Sequence, residues 1–488
     1  MLSATSQFDT ALKIITVLRA AGFEAYLAGG CVRDLLLSRE PHDYDVATSA
    51  TPDVVLCLFP RTFAVGAHFG VVLVASDCDA AQPMRAKSEQ LAPPQVVTEV
   101  ATFRSDGAYS DGRHPDAVRY TLSAEEDVRR RDFTINGLLL DAERLFPQGV
   151  DATTHPSHKG KDVSRVGHPD VDLRSAVIDY VHGLADLEAG IVRAIGQPGE
   201  RFEEDHLRML RAVRFAARFG FQIDPATASA MRRLAAKTKA VSRERVRDEL
   251  TKMLTEGHAR RAFELLDETG LLDEVLPEVA RMKGVEQPPQ FHPEGDVWTH
   301  TLLLLAQLEA GCPLPLAWAA LLHDVGKPAT FRRAERIRFD GHVEVGVAIA
   351  SEICRRFRFS NDETRQTLSL IENHMRFIDV PRMKASTLKR FFRLEDFPLH
   401  LALHRMDCLA GSGKLETWEF VRERYEAMPE EAVRPTPLVT GRELIAAGYQ
   451  PGATFRPMLR AVEDAQLEGI IATPAEALAL LRERFPLP

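Results

Sequence analysis

The feature that most constrains this chain is the place where its strand-like apolar runs stop. EAYLAGG (24–30), YDVAT (44–48), FGVVLVA (69–75) and VRYTL (118–122) all lie in the first third of the sequence. From residue 201 onward apolar residues recur at helical spacing and long β-branched runs vanish. The chain therefore reads as a mixed segment with strands, followed by helical segments. Its 488 residues suggest about three structural units at roughly 150 residues each. Residues 9–22 predict an amphipathic helix with Ala11, Leu12, Ile15 and Leu18 on one face and Gly22 as its stop. Two polar stretches, 78–97 and 143–178, read as inserted surface loops. The three histidines of the second could bind metal, but they are scattered in the manner of loop residues that bind nothing. Residues 290–410 carry most of the remaining histidines, and 436–488 form a short helical tail.

Charge and cysteine usage narrow the function classes. Lys and Arg number 61 against 70 Asp and Glu, a net charge of -9, which excludes a uniformly basic nucleic-acid binder. Residues 201–261 depart from this balance, with 15 basic against 8 acidic side chains; the segment is either a solvated helical face or a track for phosphates. No apolar run is long enough to predict a membrane span, and Lys13 and Arg19 interrupt the N-terminal apolar positions where a signal peptide would need continuity. The six cysteines, at 31, 57, 78, 312, 354 and 408, contain no CxxC and fit buried thiols of a reducing, cytoplasmic setting.

The first chemical constellation is YLAGGCVRDLLLSREPHDYDVAT (26–48). Gly29-Gly30 sits between a strand-like and a helix-like run, a turn in which backbone N–H groups can approach a phosphate. Arg33 is one step into that helix and could reach the same phosphates. Asp43 and Asp45 are two residues apart, so on a strand they face one side. They are either two solvent-facing acids or ligands of a divalent cation, and the Gly-Gly turn just upstream favours the cation. Mg²⁺, which takes one or two carboxylates plus substrate phosphates, suits nucleotidyl transfer. Downstream, DVRRRDFTINGLLLD (127–141) could be a helix N-terminal cluster or could hold a ribose and triphosphate, with Arg131 on phosphate and Asp132 accepting from a hydroxyl.

Within EEDHLRMLRAVR (203–214), Asp205, Arg208, Arg211 and Arg214 recur every three residues and are expected on one broad side of a helix. They form either a basic helix surface or a base reader. Cytosine and adenine both present an amino donor beside a ring acceptor, which a carboxylate–guanidinium pair satisfies; guanine and uracil present the reverse pattern. In the third region, His300, His323, Asp324, His342, His374 and Asp407 offer six imidazole or carboxylate groups, enough for two metal ions such as Mn²⁺, Fe, Ni²⁺ or Mg²⁺.

GGCVRD, HDYDVAT, RRRDFTING and GLADLEAGIVRAIGQPGERFEEDHLRMLRAVRFAARFGF, in that order, resemble the class II tRNA nucleotidyltransferase and bacterial poly(A) polymerase family. VSRERVRDEL (241–250) and the tail from Val439 resemble it as well. ALLHDVGKP and the histidines around it resemble an HD phosphohydrolase domain. The resemblance implies an α+β N-terminal catalytic domain of the polymerase-β type, a small mixed sheet with helices, then an all-α neck, an HD domain and a tail. The corresponding boundaries are 1–180, 181–285, 286–430 and 431–488. It implies that Gly30, Arg33 and Arg131 bind nucleotide, that Asp43 and Asp45 bind Mg²⁺, and that Asp205 and Arg208 read the base while Arg211 and Arg214 stack or hold phosphate. The implied activity is addition of CCA to tRNA 3′ ends from CTP and ATP, with phosphodiesterase or phosphatase action at an HD metal of unidentified kind. Poly(A) addition, addition of A alone, or an RNA- or nucleotide-binding head with only the HD half catalytic are the alternatives. Residues 99–120 resemble the family's flexible loop, whose presence favours CCA or A addition over CC addition. A third catalytic carboxylate is not identifiable; Asp116 is one candidate.

Overall fold

The computed structural model describes residues 4–63, 70–77, 95–107, 118–145, 173–290 and 292–487. It divides into two compact units: residues 1–249 with 265–275, and residues 250–264 with 276–488. The head and most of the helical neck thus share the first unit, and the HD region and tail share the second.

The first unit is built on a sheet whose described strands are β1 (Ala25–Ala28), β2 (Val46–Thr48), β3 (Thr62–Phe63), β4 (Val71–Asp77), β5 (Gln95–Thr102), β8 (Leu138–Leu140) and β9 (Val177–Asp179). Between them in sequence, β6 (Arg104–Asp106) and β7 (Val118–Tyr120) form a separate hairpin. The sheet runs β3-β4-β5-β2-β1-β8-β9. Only β2 and β5 pair in parallel, with Val46 opposite Val100; every other neighbouring pair is antiparallel. The expected mixed sheet is present, and each strand-like run of the sequence contributes to a strand. Gln95 and Val177 begin β5 and β9 inside stretches expected to be loops, because QVVTEVAT and AVID carry enough β-branched residues to pair. The middles of those stretches, 78–94 and 146–172, lie outside the described residues, as do Cys78 and Asp116.

The N-terminal helix runs from Ala4 to Ala20 and buries Ala11, Leu12, Ile15 and Leu18, the face read from the sequence, together with Ile14. Gly22 follows at φ 88°, a left-handed conformation that ends the helix. Also in the first unit, helix Leu207–Phe219 buries Met209, Leu210, Ala212, Val213 and Ala216. In the second unit the helices Val297–Leu305, Leu314–Leu322, His342–Arg356, Asn361–Asn373 and Phe397–Ala410 pack around Trp318, Phe357 and Phe377. A two-stranded hairpin, Arg332–Arg333 with Ile337–Arg338, interrupts this otherwise helical region. The tail helices Gly441–Ala446 and Pro474–Arg484 begin with capping boxes at Thr440 and Thr473. No helix among the described residues is long and apolar enough to cross a membrane.

Candidate functional site

Two clusters of chemistry-bearing side chains stand out, one in each unit. The first is organised by the turn after β1. Gly29 has φ 74° and ψ -123°, a conformation that L side chains rarely adopt, and its N–H donates to the Leu138 carbonyl at 3.0 Å. A Cβ on Gly29 would stand 2.8 Å from Arg131 Nη1, so the missing side chain is what lets this guanidinium lie over the turn. Arg131 is held there by Asp127 at 3.0 Å.

Asp43 and Asp45 lie on the extended segment entering β2; Asp43 is exposed and Asp45 half-buried. The parallel register of β2 and β5 sets Glu99, the residue before Val100, alongside Asp45, the residue before Val46. Burial and then Glu99 push the Asp45 carboxyl up to about 6; Asp43 adds to the rise and Arg131 opposes it. Asp43 and Glu99 thus both act on Asp45 beside a phosphate-binding type of turn, and together they outweigh the opposing charge of Arg131. That is the donor set a hard divalent cation fits. Glu99 is the residue that sequence reasoning missed.

Several residues expected to touch substrate face inward instead. Arg33 is only 4% exposed; its Nε donates to Asp34 at 2.8 Å, its Nη1 donates to Asn136 Oδ1, and its plane lies 4.5 Å from the Phe219 ring centre. Asp132 accepts from the Phe133 N–H, from Asn136 Nδ2, and from Arg211 Nε and Nη2 at 2.9 and 2.7 Å. Burial raises this carboxyl, but Arg211 and Asn136 together bring it down to about 2. Four donors already saturate it, which leaves little for a ribose hydroxyl. Arg214 is buried, pairs with Glu249 at 2.7 Å and stacks 4.4 Å from Phe215. Arg33, Asp132, Arg211 and Arg214 are thus links in one buried polar network rather than an open phosphate clamp.

The expectation that Asp205, Arg208, Arg211 and Arg214 share one helix is corrected. One helix ends at Glu204, Asp205 is extended at φ -148° and ψ 105°, and the next helix begins at Leu207. Asp205 Oδ1 accepts from the Leu207 N–H at 3.0 Å, a local turn that outcompetes helix continuation. Its carboxylate also meets Arg245 at 2.7 Å. Arg208 pairs with Glu204 and donates to the carbonyls of Arg201 and Arg130. Several of the arginines of 201–261 are held by acids, Arg208 by Glu204, Arg211 by Asp132, Arg214 by Glu249 and Arg245 by Asp205, but of these acids only Asp132 comes from outside the segment, so most of its basic excess remains.

In the second unit all six expected ligands come together. His323 and Asp324 follow helix Leu314–Leu322, His342 opens the helix to Arg356, His374 follows the helix ending at Asn373, and His300 and Asp407 lie within their helices. Their ligand atoms form two groups, His300–His323–Asp407 and Asp324–His342–His374, each within 4.8 Å. His323, His342 and His374 direct Nδ1 at the carbonyls of Ala320, Phe339 and Ile371, at 2.7–3.0 Å. A carbonyl only accepts, so Nδ1 carries the proton and Nε2 is left with a lone pair. Those three Nε2 atoms are buried without hydrogen-bond partners, at 3.2–3.9 Å from Asp324 oxygens. Lone pairs aimed at a carboxylate are mutually unfavourable until a cation lies among them, so these residues fit a metal centre. Close backbone contact makes the arrangement possible. A Cβ on Gly326 would stand 2.1 Å from the His342 carbonyl oxygen and 2.6 Å from Gly346 N.

Three comparisons agree with this geometry. Family models match in order: the poly A polymerase head domain over residues 25–153, the probable RNA and SrmB-binding site of polymerase A over 220–283, and the HD domain over 297–430. The chain belongs to the tRNA nucleotidyltransferase/poly(A) polymerase family. Within it, the chain is similar to a Streptococcus pneumoniae CCA-adding enzyme, 29% identical over 98% of each chain. A Lactobacillus helveticus CCA-adding enzyme is 34% identical over 303 residues, which is 61% of this chain and 64% of that one. The Bacillus stearothermophilus CCA-adding enzyme solved in complex with CTP superposes with a TM-score of 0.66 at 26% identity, covering 98% of this chain and 97% of that one. The chain is accordingly a nucleotidyltransferase with a polymerase head, a helical body and an HD domain.

In this nucleotidyltransferase the HD centre has further residues that the sequence reading passed over. Lys327 Nζ lies 2.7 Å from Asp324 Oδ2 and 2.7 Å from Gln287 Oε1. Glu294 Oε1 lies 2.6 Å from His300 Nδ1 and 2.9 Å from His292 Nδ1. The lysine three residues after Asp324 in HDVGK was legible as a helical neighbour. Glu294, in a loop, gave no periodic signal.

Proposed function

We propose that this chain adds cytidine and adenosine to the 3′ end of tRNA, taking CTP and ATP without a template, and that its HD unit hydrolyses phosphoesters at a divalent metal. The observation that carries the first half is the raised Asp45 carboxyl beside the Gly29–Gly30 turn, with Glu99 set alongside it by the sheet register and Asp43 two residues away. Asp43 and Asp45 would hold Mg²⁺, with Glu99 as the third acid. Mg²⁺ there would supply charge neutralisation at the α-phosphate and lower the pKa of the attacking 3′ hydroxyl. The Gly29–Gly30 turn and Arg131 orient the triphosphate. Asp205, released from Arg245, accepts the amino proton that cytosine and adenine share, and Arg208 donates to the adjacent ring nitrogen. Similarity to CCA-adding enzymes along nearly the whole chain supports tRNA as the acceptor.

For the second half, the histidines with Nε2 turned toward Asp324 would hold the metal that generates hydroxide, and Lys327 offers a buried positive charge beside it. The deciding experiment supplies tRNA that lacks its CCA end with CTP alone, ATP alone and both. Two cytidines from CTP alone and completion to CCA with both is the expected result. A long adenosine tail from ATP alone would establish a poly(A) polymerase instead, and no incorporation would leave the HD half as the only catalyst.

A further inference from the structure

The six HD ligands are alike in kind, but their outer partners are not. In the Asp324–His342–His374 group, both imidazoles rest their Nδ1–H on neutral backbone carbonyls and face Asp324 Oδ1, while the Lys327 ammonium holds the other oxygen, Oδ2, at 2.7 Å. In the His300–His323–Asp407 group, His323 also rests on a carbonyl, but His300 Nδ1 rests on a carboxylate, Glu294, at 2.6 Å. The Glu294 side chain is 7% exposed, its Oε1 also receives His292 Nδ1, and its Oε2 is buried without a partner. A carboxylate behind an imidazole fixes its tautomer and makes the far nitrogen a stronger donor, whereas an ammonium on a ligating carboxylate weakens it. Glu294 with Asp407 gives one group two negative charges, while Lys327 cancels that of Asp324 in the other.

We propose that the HD unit holds two divalent-metal positions of unequal affinity, and that Glu294 is the positioning residue that makes the His300–His323–Asp407 position the tighter one. The inference rests on the reading of this cluster as a metal centre. The imidazole of His300, buried and clamped between Glu294 and Asp407 at 2.6 and 3.0 Å, is pre-aimed before any cation arrives. The second position draws on Asp324 Oδ1, from a carboxylate whose charge Lys327 already offsets at Oδ2, and so fills only at higher metal concentration. At low metal concentration the centre is therefore singly loaded.

The test is a Mn²⁺ titration of the metal-stripped full chain, following free Mn²⁺ by its EPR signal, in an Asp43→Ala/Asp45→Ala background so that only the HD unit binds. Two binding steps of different affinity are expected. Glu294→Gln keeps the shape but removes the charge, and should weaken the tight step about 10- to 100-fold while leaving the weak step in place. Glu294→Asp should fall between. Lys327→Met should tighten the weak step and leave the tight one unchanged. Equal affinities in the parent, equal weakening of both steps by Glu294→Gln, or a Lys327→Met variant with unaltered steps would each overturn the proposal. If Glu294→Gln does not fold, the Lys327→Met titration decides it. Absence of any Mn²⁺ binding would instead sink the metal-centre reading itself.

Discussion

The two centres of this chain solve opposite electrostatic problems. In the HD unit, imidazoles and two carboxylates already converge, and the Nε2 atoms of His323, His342 and His374 lack hydrogen-bond partners. In the head, the cations and anions that would grip a nucleotide are already paired with each other: Arg208 with Glu204, Asp205 with Arg245, Arg211 with Asp132. A metal centre with three unpartnered ring nitrogens directed at one carboxylate is preorganised for its ion. If these residues grip a nucleotide as proposed, they must exchange partners when substrate arrives, and selectivity would depend on which internal pairs give way. The acid trio of Asp43, Asp45 and Glu99 is the part of the head that resembles the HD centre, with charge left for a cation to neutralise.

The largest expected effect falls on that trio. Asp45→Ala should lower nucleotide addition by about a hundred- to a thousandfold or more, with circular dichroism and HD hydrolysis unchanged. Retained addition at ordinary Mg²⁺ would remove the head from the comparison. Asp324→Asn should abolish metal-dependent phosphodiesterase activity while incorporation of CTP and ATP into tRNA continues. Loss of incorporation in the folded variant would mean that the two centres are not separable. A smaller loss, about ten- to a hundredfold in kcat with little change in KM, is expected for Glu99→Gln, since Asp43 and Asp45 remain. An unchanged kcat would leave a two-carboxylate site. The smallest and most specific effect is that of Asp205→Ala. Misincorporation from UTP and GTP should rise about ten- to a hundredfold relative to CTP and ATP, corresponding to roughly 1–3 kcal/mol. A uniform rise in KM for all four nucleotides would make Asp205 a structural partner of Arg245 and nothing more.

The two centres were also unequally legible in the sequence. The candidate HD ligands are residues whose chemistry is conspicuous anywhere, and the six read in order are the members of two of the three groups the fold assembles among the described residues; His292 and Glu294, in the third with His300, were passed over. The mixed sheet was legible from its short β-branched runs. Glu99 was not, because QVVTEVAT reads as an ordinary alternating strand, and its acid becomes meaningful only once β5 lies parallel to β2. Spacing misled at Asp205, where a three-residue period suggested one continuous helix, yet a side-chain hydrogen bond to the Leu207 N–H breaks it. Charge misled at Arg33, Arg211 and Arg214: composition counts guanidiniums without seeing that Asp34, Asp132 and Glu249 hold them inward.

The contact at Gly326 carries an evolutionary consequence. Two backbone segments meet there with no room for a methyl group, since an added carbon would overlap the His342 carbonyl. A single nucleotide change in that codon, glycine to alanine, would force apart the backbone that sets His342 beside Asp324. If the HD unit hydrolyses phosphoesters as proposed, one mutational step could end that activity without altering a residue of the head, leaving a helical scaffold that still bears its histidines.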